Sequence, residues 1–286
     1  LFELANPAVS QLRIFKFHEI PFIDFLSSHM FSEQWYGIIY HLFFGYSGTV
    51  EFIVYEFFNS VLLYFIIYFF LKKLFRSDLV AFVFILTFPL VPELFNTYLF
   101  LGITAFFHIG KLAANQSVKN YFFLFLILAA ICFWRLDTGV ATVSAAVFFI
   151  PIILLTQPQK IKISNLLKSI ALFAALVLST LVVLVLLTSQ EYIFGNISIA
   201  LHYFSGGQAH GLSSLAYEFN QQYFLHHVIF PLLSVGVILL AIVGLRSNPS
   251  RNEKFLLSAS IFLLLIYVFN FQRGLVRHGF MEKQDF

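Results

Sequence analysis

The chain has 286 residues, of which 60% are hydrophobic and 11% are charged, and its mean hydropathy is +0.88. These values exclude an ordinary soluble domain, because so few charges cannot cover so much apolar surface. The net charge of +3 is small and the lysines are scattered, which gives no nucleic-acid-binding surface. With one cysteine, Cys132, the chain offers neither an internal disulfide nor a metal-binding cysteine pair.

Residues 1–47 precede the first long apolar run and are predicted to form a loop outside the membrane. The acids Glu19 and Asp24 lie close together in this loop. The segment Trp35–Gly45 follows, and its Trp and Tyr side chains are typical of a helix lying at the membrane interface. Asp24 is therefore expected just above the bilayer. The alternative is a solvated carboxylate that caps the following helix.

Eight apolar segments follow, and several approach the ~20 residues that a membrane-spanning helix needs. They predict an all-α fold, a polytopic bundle of transmembrane helices. The second to fifth segments are short and are expected to form two helical hairpins or re-entrant segments. Pro89 and Pro92 break the first hairpin near its turn, and Asp137-Thr138-Gly139 breaks the second. The segments cover residues 48–71, 79–92, 95–110, 120–134, 139–156, 167–188, 225–245 and 254–271.

Most basic residues follow the odd-numbered segments, so these basic clusters all fall on one side of the membrane. The positive-inside rule makes that side cytoplasmic. Both ends of the chain and the loop 189–224 then lie outside. Because the chain starts at Leu1 and stops soon after a basic region, we expect it to be a fragment of a longer polytopic protein. The clustered residues are Lys72, Lys73, Arg76, Lys111, Lys119, Lys160, Lys162, Lys168, Arg246, Arg251 and Lys254.

Charged residues also lie at the predicted outer turns of the two hairpins. Glu93 belongs to the first turn, where it either binds substrate or simply favours the start of a helix. Arg135 and Asp137 belong to the second turn, where they either form a local ion pair or contact a substrate phosphate. Charged groups at the ends of apolar runs are costly, and they mark functional sites by default.

The end of the chain carries Arg273, Arg277 and His278 as candidate substrate-binding residues. The two arginines are four residues apart and share one face if this region is helical, which Gly274 and Gly279 leave open. Two outward guanidinium groups can hold a lipid-linked phosphate bidentately. The alternative is binding to anionic lipid headgroups.

The stretch Glu19–Gly45 resembles the first outer loop of the GT-C glycosyltransferases, which are polytopic enzymes that use polyprenyl-phosphate sugars. Two departures from the family pattern are Glu19, where a small residue is usual, and Met30-Phe31, where Gly-Pro is usual. The resemblance is carried by Ile20-Pro21-Phe22-Ile23-Asp24, His29, Leu42-Phe43-Phe44-Gly45 and Lys72-Lys73-Leu74-Phe75.

This resemblance implies an inverting transfer of a hexosyl or pentosyl group at the outer face of the cytoplasmic membrane. Asp24 would be the general base, with Glu19 as its rival. His29 would contact substrate, and Glu93 would bind the donor or a divalent metal such as Mg²⁺ or Mn²⁺. The implied partners are the polyprenyl-phosphate-linked sugar donor, the lipid bilayer, and a glycan, lipid or protein acceptor.

Two other functions fit parts of the pattern. A transporter or flippase for lipid-linked sugars or other anions would also carry outward arginines, although the chain lacks the internal repeat typical of transporters. A polysaccharide polymerase or ligase would share the lipid-linked donor, and the large outer loop favours it. The expected organisation is an outer loop at 1–47, a transmembrane domain at 48–271 and an outer basic tail at 272–286.

Overall fold

The chain forms two compact units. One comprises Leu1–Ile103 with Phe133–Leu136, and the other comprises Thr104–Cys132 with Asp137–Phe286. Every named element within the described residues is a helix, so the predicted all-α fold class is confirmed. The computed structural model describes residues 2–21, 24–25, 30–48, 61, 63–87, 100–156, 163–188, 191, 193–199, 229–247 and 250–281.

Ten α-helices and one short 3₁₀-helix, Met30–Glu33, can be followed through these residues. Residues 193–199, inside the predicted outer loop 189–224, are helical as well. The α-helices are α1 (Phe2–Lys16), α2 (Trp35–Phe44), α3 (Leu63–Phe75), α4 (Asp78–Thr87), α5 (Phe100–Ala114), α6 (Val118–Trp134), α7 (Leu136–Thr156), α8 (Ile163–Leu187), α9 (Phe230–Arg246) and α10 (Arg251–Met281).

Helix α1 occupies a stretch for which the sequence predicts a loop. Its Val9, Leu12 and Lys16 are exposed and follow helical spacing, whereas Gln11 is buried. Lys16 lies in the last turn, where a positive charge complements the negative end of the helix dipole. Pro7, which has no backbone N–H to donate, lies inside the helix and makes its pattern hard to recognise.

Helices α1 and α2 pack together in the first unit. The Nε2 atom of Gln11 donates a buried hydrogen bond of 2.8 Å to the backbone oxygen of Gln34, just before α2. The ring of Phe15 meets the ring of His41 edge-on, with 5.2 Å between centroids. The side of α2 that faces away from these contacts is apolar and strongly exposed, and it is formed by Ile39, Leu42, Phe43 and Phe44.

The turn between α3 and α4 is held by an exposed polar cluster. The Oδ1 atom of Asp78 accepts a hydrogen bond from the Tyr68 hydroxyl at 2.8 Å and lies 2.7 Å from the Lys72 ammonium. Hydrogen bonding to Lys72, and secondarily to Tyr68, lowers the pKa of the Asp78 carboxyl below its usual value. Arg76 adopts a left-handed backbone conformation (φ 55°) that reverses the chain. The first basic cluster thus lies at a helix–helix turn, as the sequence predicts.

Two helices of the second unit are long and apolar enough to cross a membrane. In α7, 44% of an 18-residue apolar stretch within Thr138–Thr156 is buried. In α8, only 6% of such a stretch within Ile163–Leu186 is buried. A helix that is apolar on all sides belongs either in a protein core or in lipid. The exposure of the apolar helix α8 is consistent with a helix that lies in lipid, and the structure to this extent supports membrane association.

Several basic helix ends lie together at one end of the second unit. The side chain of Asn165, in the first turn of α8, donates to the backbone oxygen of Gln116 in the α5–α6 connection at 2.9 Å. One turn later Ser169 donates to the backbone oxygen of Val118 at 3.0 Å. Near the start of α10, the ring of Phe255 packs on Phe106, near the middle of α5, with 5.8 Å between centroids, and it also lies against Gly110. The end of α5 and the starts of α6, α8 and α10 therefore lie at one end of the second unit.

The break between α6 and α7 differs from the prediction. Only Arg135 lies outside the two helices, and Asp137-Thr138-Gly139 forms the first turn of α7 rather than a hairpin turn. Thr142, whose hydroxyl donates to the Thr138 carbonyl at 2.7 Å, belongs to the regular helix that follows. An acid in a first helical turn is favourable, which explains why Asp137 starts a helix instead of ending one.

Helix α10 is longer than the predicted apolar segment. It continues without a break from Arg251 to Met281, ten residues past the predicted end of the span at 271. Gly274 and Gly279 are therefore accommodated inside a helix, and Arg273 and Arg277 lie on one helical face by their spacing. The predicted basic tail at 272–286 is helical up to Met281.

Candidate functional site

The acidic loop predicted around Glu19 begins where α1 ends. His18 adopts a left-handed backbone conformation (φ 56°), which is a common way to end a helix and one that His tolerates better than most residues. The backbone N–H of Glu19 then donates to the carbonyl of Arg13 at 3.1 Å. The reversal at His18 carries the Glu19 side chain back along α1.

Arg13 meets the acidic loop at three points. Its Nε atom forms an ion pair with Oε2 of Glu19. Its Nη2 atom donates to the backbone oxygen of Asp24 at 3.5 Å. The guanidinium group also stacks over the ring of Phe25, 4.4 Å from the centroid, and Phe25 is buried. One arginine therefore links α1 to both ends of the loop.

Asp24 closes its own loop. Its Oδ2 atom accepts a hydrogen bond from the backbone N–H of Ile20 at 2.6 Å, and its own N–H donates to the Ile20 carbonyl at 2.8 Å. The side chain is nevertheless exposed to solvent. The carboxylate is thus oriented by the backbone but remains accessible from outside. The residue before α2 is Gln34, so Asp24 is not the N-terminal capping residue of that helix.

A cluster of rings lies behind this loop, between α1 and α2. His41 is buried, and its Nδ1 atom donates to the Gly45 carbonyl at 3.1 Å. Tyr46 lies 5.1 Å from His41 and stacks at 6.3 Å on Phe15. Lys16 lies over Tyr46, 5.7 Å from the ring centroid. This cluster fixes the end of α2 against the last turn of α1, which carries the acidic loop.

Arg135 is a second charged residue of the same unit, and it is buried, with 2% of its surface exposed. Its neighbour Trp134 packs against Trp35 of α2, with 5.8 Å between ring centroids. Buried polar side chains accompany these tryptophans, since Gln11 and Gln34 are also inaccessible to solvent. The predicted phosphate-binding arginine is therefore buried and not on the surface.

The other predicted site residues are placed only in part. Backbone positions put Asp137 at the start of α7, and Arg273, Arg277 and His278 in the last turns of α10, all in the second unit. Their side chains are not among those described. His29 and Glu93 lie outside the described residues altogether.

The directions of α6 and α10 place Asp137 and the two arginines within the second unit. Helices α6 and α10 both start at the end of the second unit where the basic residues lie, so both run away from it. Asp137, which follows α6, and the arginines near the end of α10 are therefore at the opposite end of that unit. The structure brings Glu19 and Asp24 together through Arg13, and it brings the backbone of Asp137 to the same end as Arg273 and Arg277.

Sequence reasoning missed Arg13, which contacts the acidic loop most extensively. The available signal was a basic residue six positions before Glu19 in a stretch with helically spaced apolar residues and Pro21 beyond its end. Among the described residues, no group of three or more His, Cys, Asp or Glu side chains could hold a metal ion. The predicted metal ligand Glu93 is outside that part of the chain.

Comparison with known proteins adds no relative to this picture. No protein-family model, no curated protein and no solved structure matches the chain.

Proposed function

We propose that the protein is a glycosyltransferase of the GT-C type. It moves a sugar from a polyprenyl-phosphate carrier to an acceptor at the outer face of the cytoplasmic membrane. The observation that carries the proposal is an exposed, oriented carboxylate, Asp24, held on α1 beside a helix with an exposed apolar face. The sugar of a lipid-linked donor lies at the membrane surface. A carboxylate at that level can therefore lie beside the acceptor that attacks the anomeric carbon.

The membrane position of this loop is supported by α2. Leu42, Phe43 and Phe44 are 70%, 79% and 75% exposed, a large apolar surface on a single turn. Such a surface is stable when it enters the boundary between headgroups and acyl chains. Helix α2 thus serves as the predicted interfacial helix, with α1 packed against it.

The chain crosses the membrane several times in this proposal. Besides the two long helices, α6 and α9 are shorter apolar helices, and residues 255–272 of α10 carry no charge. Helix α10, with its 31 residues, is about 46 Å long, which exceeds the ~30 Å hydrocarbon core. Its last turns, with Arg273 and Arg277, then project into the outer headgroup region, where they hold the donor phosphate.

The sidedness can be measured with single cysteines in a Cys132→Ser background. We expect Lys16→Cys, on α1, to react with a membrane-impermeant maleimide on intact cells. Asn115→Cys, in the α5–α6 connection, should react only after the membrane is permeabilised. Both positions are exposed in the structure, so accessibility alone does not separate them. Labelling of both from the same side would refute the assignment of an outer loop and an inner basic side.

In the proposed reaction, Asp24 takes the proton from the acceptor hydroxyl or amine. The acceptor atom forms the new bond to the anomeric carbon from the side opposite the phosphate. The bond between that carbon and the phosphate oxygen breaks, and its electron pair leaves with the polyprenyl phosphate. Arginines stabilise the charge on the leaving phosphate, which is usually the largest catalytic contribution. From the sequence we assign this role to Arg273 and Arg277.

The function is tested by reconstituting the full chain in liposomes with radiolabelled polyprenyl-phosphate hexoses and pentoses. We expect label to move to an added acceptor glycan, lipid or protein with inversion at the anomeric carbon. Movement of intact donor between leaflets without transfer would identify a flippase instead. Joining of glycan repeats from two lipid-linked donors would identify a polymerase. Either result would replace the proposed function.

A further inference from the structure

Arg13 has the geometry of a residue that acts through its neighbours. Its ion pair with Glu19, its contact with the Asp24 backbone and its stacking on Phe25 all converge on one short loop. The pair is only partly exposed, with 37% of the Arg13 side chain and 31% of the Glu19 side chain accessible. A fully exposed ion pair contributes little, but a half-buried guanidinium with three partners fixes a definite geometry.

The same contacts separate the roles of the two acids. Taking a proton would neutralise the Glu19 carboxylate and so weaken its ion pair with the guanidinium of Arg13. The Asp24 carboxylate is exposed, and the backbone N–H of Ile20 orients it by donating to Oδ2. Glu19 is therefore placed to hold Arg13, and Asp24 is placed to react.

We infer that Arg13 is a positioning residue for the reaction, that Glu19 is its counter-ion, and that Asp24 alone supplies the base. The assignment rests on the proposed glycosyltransferase activity. The loop reverses at His18 and closes at Asp24, and Arg13 joins these two ends. Losing Arg13 allows the loop to move away from α1, which displaces the carboxylate without changing its chemistry. A displacement of about 1 Å can lower a rate by roughly 10²-fold.

The test combines transfer kinetics with hydrogen exchange on the full chain in lipid nanodiscs. The variants are Arg13→Ala, Arg13→Lys, Glu19→Ala, Glu19→Gln and the Arg13→Ala/Glu19→Ala double variant. Lys16→Ala is the matched control, because Lys16 lies in the same helical turn and contacts only the Tyr46 ring among the interactions described for it. Exchange is followed at the backbone N–H groups of Ile20 and Asp24, both of which are hydrogen-bonded inside the loop.

We expect Arg13→Ala to lower kcat by about 10- to 100-fold with little change in the donor KM, and to accelerate exchange at both amides. The double variant should lower kcat no more than Arg13→Ala does, since the two side chains act as one unit. Arg13→Lys keeps the positive charge but loses the planar guanidinium with its several N–H donors. Its kcat should lie between those of Arg13→Ala and the unaltered protein. Glu19→Gln should keep most of the activity and the acidic limb of the pH–rate profile.

Three outcomes test the roles assigned to Arg13, Glu19 and Asp24. Loss of the acidic limb in Glu19→Gln would make Glu19 the base and overturn the assignment. Unchanged exchange in Arg13→Ala would remove the positioning role, whatever the kinetics show. If the unaltered protein transfers no sugar while Arg13→Ala and Glu19→Ala accelerate exchange non-additively, the loop assignment stands and the glycosyltransferase proposal fails.

Discussion

Asp24→Asn should lower the rate of sugar transfer by about 10²–10⁴-fold, the range that general-base catalysis contributes. The substitution is nearly isosteric. The amide oxygen of Asn can still accept the hydrogen bond that Ile20 gives to Oδ2 of Asp24, so the loop keeps its closure. Only the capacity to take a proton is lost. The measurement is the initial rate of transfer from a labelled polyprenyl-phosphate sugar, at equal amounts of membrane-inserted protein.

Asp78→Asn is the control with the same chemical change. Asp78 is exposed and hydrogen-bonded to Tyr68 and Lys72 at the α3–α4 turn, away from the acidic loop in sequence. We expect this variant to transfer sugar at the normal rate. Equal activity of Asp24→Asn and the unaltered protein would show that Asp24 is not the base. An equal loss in both variants would point to a general loss of structure.

The features that could be predicted from the sequence are those that local pattern decides. The apolar runs predict α6, α7 and α8 because a helix satisfies its own backbone hydrogen bonds, and lipid leaves no other solution. The Trp and Tyr of α2 predict an interfacial helix; the structure shows α2 with an exposed apolar face, but Tyr36 itself is buried and Trp35 packs on Trp134. The one-sided grouping of basic residues follows from the order of the runs alone.

The contacts of Arg13 could not be predicted, because they depend on a single backbone reversal. His18 must adopt φ 56° before Glu19 can return to α1, and no residue pattern requires that angle for His. The break at Arg135 was predicted in the correct region but with the wrong boundary. An Asp-Thr-Gly triplet is common both in turns and at helix starts, and its position after Arg135 lets it serve as the first turn of α7.

The close approach of α6 and α7 could not be predicted from the sequence either. It leads to a second prediction with a large effect, on the stability of the protein. A Cβ atom at Gly139 would lie 2.5 Å from the Cα of Cys132 and 2.8 Å from its backbone nitrogen. Those atoms belong to a helix backbone and cannot rotate away. Gly139→Ala should therefore lower the free energy of unfolding by about 1–3 kcal/mol, the usual cost of overpacking. The decrease is measured as a lower thermal midpoint in detergent.

Gly236→Ala separates this clash from the effect of removing a glycine. Gly236 lies inside α9, and a Cβ atom there would meet nothing within 4 Å. Alanine favours the helix by about 1 kcal/mol over glycine, so this variant should be as stable as the unaltered protein or more stable. A lower midpoint for Gly139→Ala with an unchanged or higher one for Gly236→Ala is the expected pair of results. If both variants are equally stable, the backbones of α6 and α7 do not approach as closely as described.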